Sequence, residues 1–271
     1  MAGIIRRIKS ETPLAVTLSL GERTVDEFAL WREAGADRYL LRFETSNRAL
    51  YDRIHPPRCG AAAPGCVLDH TRGPLLRRGK RVCHNDRFAL LTALRGLGYE
   101  IGSGVMVGIP GQTFDDLADD VLAFQRLDLD MIGVGPFIAH PETPLGHAEG
   151  GEVPNDTTMT LKVVALARLA CPLSNIPSTT ALATLDRERG RELGLQRGAN
   201  VVMPNLTPAE YRALYEIYPG KACVHETAEA CHPCMRRRIE SIGRTVGAGP
   251  GSAALRRGKP GAPRRMTGVS P

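Results

Sequence analysis

The chain has 271 residues, 42% of them hydrophobic and 24% charged, which suits a globular protein able to bury one α/β barrel or two smaller domains. No apolar run approaches the roughly 20 residues that span a bilayer, and the opening MAGIIRRIKSETP is too polar for a secretory signal, so a cytoplasmic protein is expected. Six of the 35 Lys and Arg lie between Ser241 and the end with no acid among them, leaving 29 basic against 29 acidic residues in positions 1 to 240. The net charge of +6 therefore belongs to a Gly/Pro-rich tail, and neither nucleic acid nor a membrane is an expected partner.

One unit recurs along the chain: a short apolar run of β-formers, a polar or Gly-marked turn, then a helical stretch. The runs are AVTLSLG (15–21), RYLLRFE (38–44), GSGVMVG (102–108), MIGVGPF (131–137), NIPSTT (175–180) and NVVMPN (200–205). After the second comes an insertion at about 57–84, rich in Pro, Gly, Ala and Arg, with Cys59, Cys66 and Cys83 at spacings that match no compact ligand motif. After the third, TFDDLADDVLAFQRL sets Leu117, Val121, Phe124 and Leu127 on one helical stripe, with Thr113 placed to cap the first turn and Asp116 three residues on.

Strand then helix, repeated, predicts a parallel sheet with crossover helices. The loops after the strands (GER, FETSN, IPGQT, IAHPETP, STTA, MPNLTP) carry the polar and Gly/Pro residues of a barrel's active face. The doubly wound alternative needs a dinucleotide fingerprint. GSGVMVG has its third Gly one residue too far along, inside the strand, and is rejected. Seven cysteines without an export signal argue against a disulfide framework and leave metal ligation, catalysis or core thiols. Cys171, on an apolar helix, reads as core.

Taken in order, RYLLRFETSN, GYEIGSGVMVGIPGQTFDDLADD, MIGVGPFIAHPETPL, NIPSTTAL, GANVVMPNLTP and LYEIYPGKACV resemble the HydE-type radical S-adenosylmethionine maturases of FeFe-hydrogenase. Biotin synthase and methylornithine synthase are related and form the alternative reading. The resemblance covers about 14–245 and implies a (β/α)8 barrel, of which strands 3 to 8, about six units, are present. It implies S-adenosylmethionine and a 4Fe–4S cluster that together yield a 5′-deoxyadenosyl radical. It also implies a small iron–cysteine complex with CO and CN ligands as substrate, and other hydrogenase maturases as partners. The family's C-x3-C-x2-C occurs nowhere in this sequence, so the chain reads as N-terminally truncated and inactive alone; a non-catalytic metal-binding fragment is the third reading.

By the same resemblance, Arg42 and Glu44 in LRFET, Arg87 in NDRF and Tyr215 are expected at the cofactor, with Phe43 where the family has His. Thr17, Met131, Thr179, Thr180, Met203 and Tyr218 are expected to line the substrate cavity below. Cys223, Cys231 and Cys234, spaced C-x7-C-x2-C, match a segment that in some members holds an auxiliary iron–sulfur cluster, with zinc as the alternative metal. The expected organisation is a partial barrel over 1–245, a cysteine segment at 221–240, and a basic, disordered tail at 246–271. His55 and His140 receive no role.

Overall fold

The computed structural model describes residues 1–55, 86–215, 217–224 and 227–253; the insertion with Cys59, Cys66 and Cys83 lies outside them. After α1 (Ala2–Glu11) come β1 (Thr17–Leu18), α2 (Val25–Glu33), β2 (Arg38–Leu40), α3 (Arg48–Ile54) and α4 (Arg87–Gly96). Then follow β3 (Glu100–Val107), α5 (Phe114–Arg126), β4 (Met131–Pro136), α6 (Thr157–Ala170), α7 (Thr180–Leu185), α8 (Gly190–Gln196), α9 (Ala209–Arg212) and α10 (Ala228–Ser241).

All paired strands are parallel and adjacent in sequence order, β1-β2-β3-β4. Beyond β4 the order continues as isolated bridges, Met131 to Asn175 and Pro177 to Val201. A doubly wound sheet reverses its order at a switch point; this sheet never does, and is a partial barrel wall. The fifth and sixth expected strands are thus present as single bridges rather than ladders.

The helix-facing side of the sheet is the core. Phe28, Trp31, Tyr39 and Tyr99 are buried together, with Tyr39 edge-on to Phe28 at 4.8 Å. Their phenols are satisfied by backbone, Tyr39 Oη donating to the Gly21 carbonyl at 2.8 Å and Tyr99 Oη to the Phe28 carbonyl at 2.7 Å. Helix α5 begins as expected, with Thr113 and Asp116 in a reciprocal capping box, and Leu117 and Phe124 are buried while Val121 and Leu127 pack against the core. Cys171 also joins the core, and burial pushes its thiol up.

Because side chains alternate along a strand, the buried outward set Ile101, Ser103, Val105, Val107, Ile132 and Val134 fixes what faces inward. The inner face of β3 and β4 carries Gly102, Gly104, Gly133 and Gly135, flanked by Met106 and Met131. Barrel interiors are ordinarily filled by branched side chains. Here a Cβ on Gly133 would meet nothing nearer than the Ser103 carbonyl at 3.6 Å, whereas one on Gly104 would sit 2.0 Å from the Gly133 carbonyl oxygen. The two strands approach too closely for any side chain at position 104.

Residues 246–253, the described beginning of the expected tail, are partly anchored on the barrel. Arg38 Nη2 donates to the Pro250 carbonyl at 2.6 Å and to Ser252 Oγ at 3.2 Å, and Asn175 Nδ2 donates to the Gly251 carbonyl at 2.8 Å. Ala253 is fully buried. Residues 250–253 therefore run under the N-terminal ends of the strands, joining β2 to the fifth strand position. The abundant Gly is used for backbone shape, Gly249 and Gly251 both having positive φ.

Candidate functional site

The pairing of β2 with β3 contains one extra residue. Leu40 stands opposite Gly102, yet Glu44 stands opposite Val105, so residues 41–43 oppose only two. An insertion of this kind bends a strand and re-aims its side chains. Ser103 fills the gap: its Oγ donates to the Leu41 carbonyl at 2.8 Å and accepts the Phe43 N–H at 3.1 Å. Glu44 then adopts φ +65°, closed by a Thr45 N–H to Phe43 carbonyl hydrogen bond of 2.8 Å. A three-residue turn around a left-handed Glu is strained by about 1–3 kcal/mol and is characteristic of functional sites.

This turn brings Arg42 and Glu44 together. Arg42 Nη2 lies 3.0 Å from Glu44 Oε2 as an ion pair, in an orientation that makes no hydrogen bond, and donates to the Val105 carbonyl at 2.5 Å. Arg42 Nε and Glu44 Oε2 are both buried with no hydrogen-bond partner among the described residues. Buried polar atoms are nearly always hydrogen-bonded, so a donor without a hydrogen bond, beside a carboxylate oxygen whose contact is the Arg42 ion pair alone, makes this turn the candidate binding site.

Arg87, first residue of α4, braces the pair from behind. Its Nε donates to Glu22 at 2.8 Å, its Nη1 to the Arg42 carbonyl, and its guanidinium lies 5.3 Å from the Tyr51 ring centre. Most of its fork is thus committed to the protein. Tyr51 stacks on His55 at 4.5 Å, and among the described residues Tyr51 Oη and His55 Nδ1 are buried with no well-formed hydrogen bond. Burial, followed by the Arg87 charge, lowers the His55 pKa; burial pushes the Tyr51 phenol up to about 12. Phe43 packs between Phe88 and Phe124, in the core, so the aromatic in LRFET lies on the opposite side from the Arg42 charge. A pocket of about 80 Å³ lies on the Phe43 side of this segment, lined by Phe43, Thr45, Ser46, Tyr51, Arg87 and Phe88 among others; neither Arg42 nor Glu44 reaches it.

The other expected residues are dispersed. Thr179 caps α7, its Oγ1 accepting the Leu182 N–H, and contacts the space above Gly135; Thr180 opens the helix, half-buried. Burial raises the Tyr218 phenol, against a hydrogen bond with Thr184 and the charges of Arg191 and Arg42. Thr17 is exposed and Met131 lies beside Gly102, both near the strands' N-terminal ends. Met203 and Tyr215 are 42% and 66% exposed and join no cluster.

The three cysteines are not gathered. Cys231 is buried and Cys223 and Cys234 are partly exposed; Cys231 and Cys234 lie on α10, while Cys223, at φ +63°, accepts a hydrogen bond from Arg191 Nη2 at 3.4 Å. Among the described residues no three His, Cys, Asp or Glu come close enough to hold a metal ion. Nor, among them, is any helix long and apolar enough to cross a membrane. Sequence reasoning missed Glu22, Tyr51 and His55, which only the fold brings to Arg87, and Asp120, which accepts the Ser46 N–H from α5.

No protein-family profile matches the chain. It is 46% identical over 247 residues to the [FeFe] hydrogenase maturase subunit HydE of Thermotoga maritima, across 91% of this chain and 62% of that protein. A biotin synthase of Crocosphaera subtropica is 25% identical over 200 residues, 73% of this chain and 44% of its own length. The crystal structure of methylornithine synthase superposes with a TM-score of 0.65 at 21% identity, over 91% of this chain and 63% of the other. That likeness confirms the barrel wall, and the gap between 46% and 25% identity disfavours the biotin-synthase alternative. The chain spans less than two thirds of these relatives, and over that span it is similar in sequence to a HydE-type radical S-adenosylmethionine maturase.

Proposed function

We propose that the chain holds S-adenosylmethionine at the C-terminal strand ends and a substrate deeper in the barrel, as the ligand-binding part of a HydE-type hydrogenase maturase. The observation that carries this is a pair of buried atoms without a hydrogen bond among the described residues, donor Arg42 Nε and acceptor Glu44 Oε2, the latter held only by its ion pair with Arg42. A carboxylate and an ammonium, the two groups of the cofactor's amino-acid end, answer both. Arg87 holds the Arg42 carbonyl and so fixes the strand from which the guanidinium projects. Tyr215, exposed on its turn, is assigned to the cofactor by resemblance alone.

With a 4Fe–4S cluster, the cofactor would supply the family's 5′-deoxyadenosyl radical. The described residues contain no ligand set for a cluster, and Cys223, Cys231 and Cys234 as placed do not fit an auxiliary one. The chain's own contribution is binding and orientation. Thr17, Met131, Thr179, Thr180, Met203 and Tyr218 are assigned to the substrate by resemblance alone; a small iron–cysteine complex is the substrate class, and other maturases the partners, in a cytoplasmic setting.

Calorimetric titration of the chain with S-adenosylmethionine tests the reading. Binding that weakens about tenfold or more in both Arg42→Ala and Glu44→Gln, as expected for lost charged hydrogen bonds, supports it. A chain that folds and shows no binding refutes it.

A further inference from the structure

The turn that carries Glu44 is gripped from outside the sheet. Asp120 is fully buried on α5, three residues after Leu117 and four before Phe124, on the stripe that faces the core. Its Oδ1 accepts the Ser46 N–H, while its Oδ2 and Ser46 Oγ are buried with no well-formed hydrogen bond among the described residues, the hydroxyls of Ser46 and Thr45 lying close enough to favour the carboxylate. One helical turn earlier, Asp116 Oδ1 accepts from Asn47 Nδ2 at 2.6 Å and Asp116 Oδ2 from the Thr113 N–H at 2.8 Å. Two carboxylates thus hold consecutive residues, 46 and 47, directly after the strained turn.

A carboxyl group on an apolar stripe is costly to bury, and an alanine or leucine would serve packing alone. What the acid adds is a fixed acceptor for one loop amide. We propose that Asp120 is a positioning residue: through the Ser46 amide it fixes the left-handed turn at Glu44 and thereby aims the Arg42–Glu44 pair at its ligand. The inference rests on the cofactor reading for its consequence, but the grip on the turn stands independently of it. Burial also holds the Asp120 carboxyl up at about 7, so asparagine imitates its protonated form.

Asp120→Asn keeps an acceptor for the Ser46 amide and adds a donor for Ser46 Oγ, whereas Asp120→Ala removes both. Two quantities are read on the full chain: S-adenosylmethionine affinity by calorimetry and hydrogen exchange at the Ser46 amide by NMR. The Asn variant is expected to bind within about twofold of the parent with Ser46 protected, and the Ala variant about tenfold more weakly with Ser46 exchanging freely. Ser174→Ala, which removes a buried hydroxyl bonded to the Leu129 carbonyl away from the turn, controls for general destabilisation and leaves affinity unchanged. If Asp120→Ala does not fold, Asp120→Cys, similar in volume and a poor acceptor, replaces it. Parent-like affinity in the Ala or Cys variant, or equal weakening in Ser174→Ala, overturns the proposal. If the parent itself does not bind, the cofactor reading fails, and the exchange measurement decides alone: Ser46 protection that survives in Asp120→Ala removes the positioning role.

Discussion

Replacing Ser103 by Ala tests the account of the bulge most directly. Ser103 is fully buried, and its hydroxyl serves both the Leu41 carbonyl and the Phe43 amide, which no other hydrogen bond among the described residues satisfies. Deleting one oxygen leaves a buried backbone donor and acceptor open, each at about 1–3 kcal/mol. Allowing for partial relaxation, the expected loss is about 2–4 kcal/mol, far above the ±0.5 kcal/mol of an ordinary surface change. Urea denaturation of parent and variant, followed by tryptophan fluorescence from Trp31, gives the difference at constant slope. Ser10→Ala, at an exposed hydroxyl on α1, is the matched control. A Ser103→Ala chain within about 0.5 kcal/mol of the parent would mean that the hydroxyl is not the bridge across the extra residue, and the explanation of the bulge would fail with it.

Asp120→Asn should alter how stability depends on pH. A carboxyl raised to about 7 in the folded chain contributes stability that is fully present below pH 4 and lost as pH rises through 7. The variant should match the parent at pH 4 and exceed it at pH 8 by at most about 4 kcal/mol; a pH-independent difference in melting temperature contradicts this. Gly104→Ala must push its Cβ into the Gly133 carbonyl and is expected to leave no soluble, cooperatively melting protein, so a parent-like melting curve would refute the close approach. In the native chain without added metal, iodoacetamide should modify the partly exposed Cys223 and Cys234 before the buried Cys231. Protection of all three after anaerobic addition of iron and sulfide, with iron bound in proportion, would show that they gather around a cluster after all.

Much of this architecture was legible because it follows from local rules. Alternation in RYLLRFE and GSGVMVG, and the stripe from Leu117 to Leu127, depend on residues a few positions apart, and Thr113 advertises its helix start. Asp120 left a trace as well: an acid at i+3 from Leu117 lies on the apolar stripe, the signature of a buried carboxyl. The left-handed turn at Glu44 left none, since no glycine marks it and the extra residue shows only against β3. Composition hid the anchoring of residues 250–253, where Gly and Pro that usually signal disorder shape a segment bound by Arg38 and Asn175. For the cysteines, spacing matched a pattern while the fold put one on a loop and two on a helix; spacing along a chain does not fix distances across it.

The glycines lining β3 and β4 have a consequence for how such a protein can change. Between Met106 and Met131 the wall is bare backbone at Gly104 and Gly133, and there it makes little demand on the shape of what rests against it. Selectivity is then left to the strand ends and the loops that follow, which are free to vary because they carry little of the core. A chain built this way can acquire a new ligand by altering its rim while its floor and wall stay as they are, and a loss of selectivity should trace to the rim rather than to the sheet.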